Sequence, residues 1–258
     1  MSGETRWLEG EATASLVRAA DAVVTHAGVR TAVVGGLAVA CRLAVAHRAT
    51  ADVDLVADEP ALVAGGTAAG SLVQAGLATR VAGSEVVRLD VAGTRVELIE
   101  TSPVGIEELH DVEPARARLF VLAHRWALDS ATQVRVGVVG TDVEVDLPVA
   151  TPLALMAMKL HAIEDRSEDR KRASDAWDLF RLIDLSAGTP NFRRATEAAP
   201  PTLLDLVAEV AERVLISSVT RTRRWMSVYG DPAWASVATE EALADAGRDL
   251  LVHVHRHH

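Results

Sequence analysis

Apolar positions recur at helical spacing through Leu16, Val17, Ala20, Val23 and Val24, and Gly28 ends the run, so the pattern predicts a helix over 11–27. TAVV, 31–34, is a short continuous apolar run of buried-strand type that stops at Gly35-Gly36. A small-residue helix is expected over 37–46, a strand over 52–57 (DVDLVA), and a helix over 59–76 interrupted by Gly65-Gly66. EVVRLDV and RVELIE alternate on either side of AGT, and QVRVGVV and DVEVDLPV alternate around Gly140-Thr141; each pair reads as a hairpin. A helix over 113–129 separates the two hairpins.

The character changes after Val149. Thr151-Pro152 is a helix start, with a hydroxyl cap and proline in the first turn, and LALMAMKLHAIE follows it. The charged stretch DRSEDRKR then leads into a second amphipathic helix, SDAWDLFRLIDL, and from Pro200 onward the pattern is helical and alanine-rich. The expected fold class is α+β: a mixed β-sheet flanked by helices in a domain over 1–150, followed by a helical region over 151–258.

One strand carries a contradiction. Asp52 and Asp54 lie in an otherwise apolar run, and strand alternation puts both on one face, about 7 Å apart. Two carboxylates so placed repel each other. A divalent cation relieves that conflict, and Mg²⁺ takes hard oxygen ligands from one or two carboxylates plus substrate phosphates. The competing reading is an edge strand with one wet face. Context favours the cation. Gly35-Gly36 follows a buried strand and opens a helix, where backbone N–H groups meet a phosphate closely. Glu97, in RVELIE, offers a third carboxylate, with Asp90 as its competitor. Arg48 and Thr50 stand just before the pair, Arg48 as a phosphate contact or an ordinary surface cation.

Composition narrows the partners. The 258 residues carry a formal net charge of −10, which argues against a generally nucleic-acid-binding surface while leaving room for local basic patches. Two such patches are 166–172 and RTRRW, 221–225, where Trp225 is positioned to stack on a base; a solvated helix face is the competing reading. The single cysteine, Cys41, excludes an intramolecular disulfide. No apolar signal core or membrane-length run is present, so a cytoplasmic protein without a membrane partner is expected. The closing HVHRHH reads as a tail rather than a metal site. Only Lys159 and Lys171 are lysines among 26 basic residues. A charge at Lys159, on an apolar helix, requires a partner: a phosphate, or water at the helix rim.

The set VVGG…HRATADVDLVAD resembles the active-site signature of the nucleotidyltransferase superfamily that includes DNA polymerase beta. Its Arg-x-Thr-x-Asp-x-Asp form is similar to the AbiEii/AbiGii-type (MenT-like) nucleotidyltransferase toxins, and PLALMAMKLHAIEDR followed by SDAWDLFRLI resembles that family's helical segment; the likeness spans about residues 31–185. The resemblance implies that Asp52 and Asp54 hold Mg²⁺ with Glu97 as third carboxylate, and that Gly35 and Gly36, with Arg48 and Thr50, cradle the nucleotide. It implies that Lys159 contacts the phosphates, and that Asp175, with Asp178 as alternate, is the later acidic residue of the site. Leu37 and Ser174 depart from the pattern, standing where a hydroxyl and a basic residue are common. The implied activity is transfer of an NMP from an NTP to a hydroxyl. The tRNA 3′ end is one acceptor, a protein or an aminoglycoside-like small molecule the others, and a cognate antitoxin is a further partner. A catalytically silent nucleotide- or partner-binding member is the alternative.

Overall fold

The computed structural model describes residues 4–43, 50–58, 67–81, 87–101 and 115–255. It has the expected α+β class. The chain divides into two units, Met1–Pro103 with His124–Thr151, and Val104–Ala123 with Pro152–His258.

The first unit is built on a mixed sheet of eight strands: β1 (Arg6–Leu8), β2 (Thr31–Val34), β3 (Asp52–Asp58), β4 (Thr79–Arg80), β5 (Val87–Val91), β6 (Thr94–Thr101), β7 (Thr132–Val138) and β8 (Glu144–Val149), in spatial order β1-β7-β8-β2-β3-β6-β5-β4. Helices α1 (Glu11–His26), α2 (Gly35–Leu43) and α3 (Ala68–Gln74) belong to this unit, and α4 (Ala115–Asp129) ends in it. Both expected hairpins are present. The first turns through Ala92 and Gly93, both at positive φ, which suits the twist of a two-residue hairpin link. β3 runs antiparallel to β2 and parallel to β6. Val53, Leu55 and Ala57 share its apolar face and are fully buried, while Asp52, Asp54 and Asp58 point to the other side.

Several sequence expectations shift. α2 starts at Gly35 itself, two residues early, and its expected end over 44–46 lies outside the described residues. Of the helix expected over 59–76, residues 68–74 are helical, capped by the Thr67 hydroxyl accepting from the Gly70 N–H; residues 59–66 lie outside the described residues. The short strands β1 and β4 carry too few residues for any periodicity to register.

The second unit is helical: α5 (Pro152–Asp165), α6 (Asp169–Ser186), α7 (Pro190–Glu197), α8 (Pro201–Ala211), a π-helical turn (Glu212–Ser217), α9 (Val219–Tyr229), α10 (Pro232–Val237) and α11 (Glu240–His255). α5 is its central helix. Leu153 to Ala157, Leu160 and Ile163 are all buried, so the helix is apolar nearly all round and packs on α6, α7 and α8. α6 begins at Asp169, so the second half of the charged stretch, 169–172, forms its first turn. α11 runs through His255; His253 packs edge-on to Phe192, and its Nδ1 lies 2.8 Å from the Asp249 carbonyl, so the start of the terminal histidine run is helix rather than tail. Gly247 on α11 approaches the π-helical turn so closely that a Cβ would lie 2.9 Å from that of Leu215.

At the far end of β3, Asp58 is clamped by two guanidinium groups. Arg30 donates to both its oxygens at 2.7 and 3.2 Å, Arg125 donates to Oδ1 at 2.8 Å, and both arginines also hold Asp129. Burial raises the Asp58 pKa, but the two arginines outweigh it and hold the carboxyl below its usual range. A depressed folded-state pKa contributes stability above the unfolded value, and that stability is lost as pH falls through the folded pKa. Asp58→Asn is therefore expected to lower Tm at neutral pH by about 2–4 °C, the shift that about 1 kcal/mol makes in a chain of this size. The difference from the parent should shrink below about pH 4; thermal melts across pH 3–7 measure both.

Candidate active site

The two aspartates sit where the strand pattern put them, and β2 explains their surroundings. Val34, the last residue of β2, is in register with Asp54, and the chain turns at once into α2 through Gly35. Gly35 has φ of +65°, and a Cβ built on it would lie 1.9 Å from Asp54 Oδ2. The Asp54 carboxylate thus occupies the space a side chain at 35 would need. That packing sets a carboxylate beside the first turn of α2, whose backbone N–H groups have no partners within the helix. Gly36 and Leu37 are buried. Leu37, standing where a hydroxyl residue is common, packs into the core instead.

Thr50 closes the other side. Its hydroxyl lies 3.3 Å from the Asp52 carbonyl and 3.4 Å from Asp52 Oδ1, so it braces the entry to β3. Arg48 and His47 lie outside the described residues. Glu97 on β6 is in register with Asp54 on β3, so the two carboxylates are lateral neighbours on one face. Glu97 is also in register with Arg88 on β5, whose Nε donates to Oε1 at 2.7 Å. Asp90, the competitor for the third-carboxylate role, accepts from the Gly93 N–H at 2.9 Å and serves the hairpin turn.

Among the described residues, no group of three His, Cys, Asp or Glu side chains converges closely enough to hold a metal. The Arg88 pair accounts for part of this, since it draws one Glu97 oxygen towards β5. The donor chemistry of Asp52 and Asp54 nevertheless fits a hard divalent cation: two carboxylates on one strand face, one of them pressed onto a helix start that only glycine permits.

In the helical unit, Lys159 is 7 % exposed, on the buried side of α5 among Leu155, Met156, Leu160 and Ile163. Its Nζ lies 2.7 Å from Asp175 Oδ1 and 2.6 Å from Asp178 Oδ2, both on α6. Arg166 Nε stands 2.6 Å from the remaining Asp175 oxygen. Two cations and two carboxylates thus form a neutral cluster. The rim position is excluded for Lys159, and both the later acidic residue and its alternate touch the same ammonium. The value of Asp178 as a lysine partner was not visible in the sequence beyond its i+3 spacing from Asp175, which places both on one side of α6. Ser174 packs at the α6 surface, its hydroxyl 3.4 Å from the Arg170 carbonyl. His161 packs at a tilt against Phe120, their ring centroids 5.1 Å apart and planes 59° from parallel.

Trp225 does not present a bare ring. The guanidinium carbons of Arg172 and Arg221 lie 5.0 and 5.3 Å from its centroid, so cations occupy the place foreseen for a base. Trp177 on α6 is half-buried and stacks face to face on Trp234 with centroids 5.0 Å apart.

A mixed sheet in which a Gly-Gly helix start leans on an Asp-x-Asp strand is the arrangement expected of a nucleotidyltransferase. The sequence profile of the nucleotidyl transferase AbiEii toxins of type IV toxin–antitoxin systems matches residues 20–213, and the chain belongs to that family. It is a transferase of the nucleotidyltransferase class. The chain is also similar to a crystal structure of an antigenic nucleotidyltransferase-like protein from Paracoccidioides brasiliensis, at 19 % identity over 86 % of this chain and 95 % of that one, with a TM-score of 0.46. No curated protein matches. No helix among the described residues is long and apolar enough to cross a membrane.

Two outcomes test this packing. Gly35→Ala forces a Cβ into the Asp54 carboxylate at a positive φ, so transfer activity is expected to fall by about 100-fold, as for other small misplacements at a reacting centre; an activity assay beside a melting curve separates this from unfolding. Lys159→Met removes the ammonium that Asp175 and Asp178 share in the buried cluster, and a loss of about 3–5 kcal/mol of stability is expected. Denaturant titration measures it, and an unchanged midpoint would show the cluster to be energetically idle.

Proposed function

We propose that this protein is an Mg²⁺-dependent toxin that transfers an NMP from an NTP to the 3′ hydroxyl of a tRNA, in a cytoplasm shared with a cognate antitoxin. The observation that carries the reading is the Asp54 carboxylate seated on Gly35 at the start of α2. A helix N-terminus attracts phosphate oxygens, and a carboxylate beside it repels them unless a cation intervenes.

In this reading Asp52 and Asp54 hold the cation, with Glu97 as a third oxygen donor once its carboxylate is shared with Arg88. A divalent cation held there would neutralise charge on the phosphates and lower the pKa of the attacking hydroxyl. The N–H groups at Gly35 and Gly36 and the side chains of Arg48 and Thr50 orient the triphosphate, which is the proximity contribution to the rate. The acceptor oxygen forms a bond to the α-phosphorus, the bond to the β-phosphate oxygen breaks, and pyrophosphate leaves. The hydroxyl proton passes to a carboxylate of the pair or to water. The family pattern assigns Lys159 to the phosphates and Asp175 to the later acidic residue, whose carboxylate holds the ammonium at 2.7 Å.

The competing reading, a nucleotide-binding member without turnover, draws on the two carboxylates that already hold Lys159. Incubation with each α-labelled NTP, Mg²⁺ and total tRNA separates the two. Label is expected on RNA, lost with chelator, and reduced at least about 100-fold in Asp52→Asn and in Asp54→Asn, the scale of losing the metal's transition-state stabilisation. NTP binding with no label on RNA, protein or the enzyme itself supports the silent reading instead.

A further inference from the structure

We propose that Arg172 of α6 and the exposed Arg221 and Arg224 of α9, gathered at Trp225, form the surface on which the phosphodiester backbone of the acceptor RNA docks. The inference rests on the RNA-acceptor reading above and says which part of the helical unit meets that RNA.

The two basic stretches are far apart in sequence, but α6 and α9 pack against each other. Trp225 joins them: Arg172 from α6 and Arg221 from α9 both lie over its ring. Arg172 is further fixed by donating to the Ile163 carbonyl at 3.2 Å and to Asp169 at 2.9 Å. The indole therefore works as a brace that holds cations from two helices in one surface.

The surface gathers cations from two helices in a protein of net charge −10, where many arginines sit on carboxylates, as Arg18, Arg30, Arg88, Arg125, Arg135 and Arg248 do. α9 carries three arginines and no carboxylate along VTRTRRWMSVY. Arg223 turns inward to the Ala235 carbonyl, but Arg221 and Arg224 are exposed, and no carboxylate among the described residues lies within ion-pair distance of them. Glu240, which accepts from the Thr220 hydroxyl at 3.2 Å, bounds the surface beyond Arg224.

Cations spread over two helices make a poor site for one small anion, because water and salt screen each contact. A polyanion engages them together and gains from counterion release. The braced indole, covered by guanidinium groups, presents cations rather than an aromatic wedge, which suits a backbone in preference to a lipid surface.

The test is binding of fluorescent tRNA to the full chain by anisotropy over a salt series. Three proteins are compared: the parent, Arg221→Ala/Arg224→Ala, and the matching double lysine variant. The alanine variant is expected to bind about 3- to 10-fold more weakly near 0.1 M salt, with a salt slope lower by about one to two, one for each lost phosphate contact. The lysine variant should keep the parent slope, and NTP binding should be unchanged in all three. Parent-like affinity and slope in the alanine variant would overturn this surface and leave the RNA-acceptor reading standing. A parent that binds no tRNA and labels a protein instead would overturn both. Loss of binding to phosphatidylserine vesicles, with RNA binding intact, would mark a membrane-facing surface and also overturn the proposal.

Discussion

The close approach of the Asp54 carboxylate to Gly35 is the constraint on which the first unit's architecture turns. A strand that ends at Val34 must reverse into a helix without a Cβ in the way, and the neighbouring antiparallel strand must bring a short acidic side chain to that spot. A longer side chain at 54 would not fit above the helix start, and any side chain at 35 would push the acid away. Register between β2, β3 and β6 then follows from burial, because a one-residue slip would turn Val53 and Leu55 outward and Asp54 into the apolar layer. The geometry that makes the site chemically interesting is thus the same geometry that keeps the sheet in register.

The helical unit solves a different problem, a cation inside. Lys159 lies on the buried side of α5, so its ammonium is stable because α6 supplies Asp175 and Asp178 one helical turn apart. Such clusters are weak contributors to net stability and strong contributors to a unique arrangement of the helices that bear them. Arg213 does comparable work at the surface, bridging Glu164 on α5 and Glu209 on α8, and both partners raise its pKa above the ordinary value. Cys41, by contrast, has no charge to satisfy: burial pushes its thiol up to about 12, and it packs as a small apolar residue.

Where local chemistry decides, the sequence was readable. Alternation placed Asp52 and Asp54 on one face, Gly35-Gly36 marked the strand-to-helix turn, Thr151-Pro152 marked the start of α5, and both hairpins followed from alternation around glycine. What escaped it depends on partners distant in the chain. Nothing near Glu97 announces that Arg88, nine residues back, sits directly across the hairpin from it. Nothing near Trp225 announces that Arg172 covers its ring, because the two are joined only when α6 packs on α9. The stretch 166–172 was legible only as a basic patch, because charge dominates its composition. It begins a helix because Arg172 and Lys171 each find a carboxylate one turn earlier, in Asp169 and Glu168.

The scarcity of lysine has a practical side once burial is known. Of the two ε-amines in the chain, that of Lys159 is locked between carboxylates, while that of Lys171 is more than half exposed beside Glu168. Acylating reagents need a free, deprotonated amine, and the buried ion cluster denies them one. Lys171 is thus the single side-chain amine open to a dye or cross-linker, and it stands on the same helix as Arg170 and Arg172. A reporter attached there would look directly onto whatever settles against that helix.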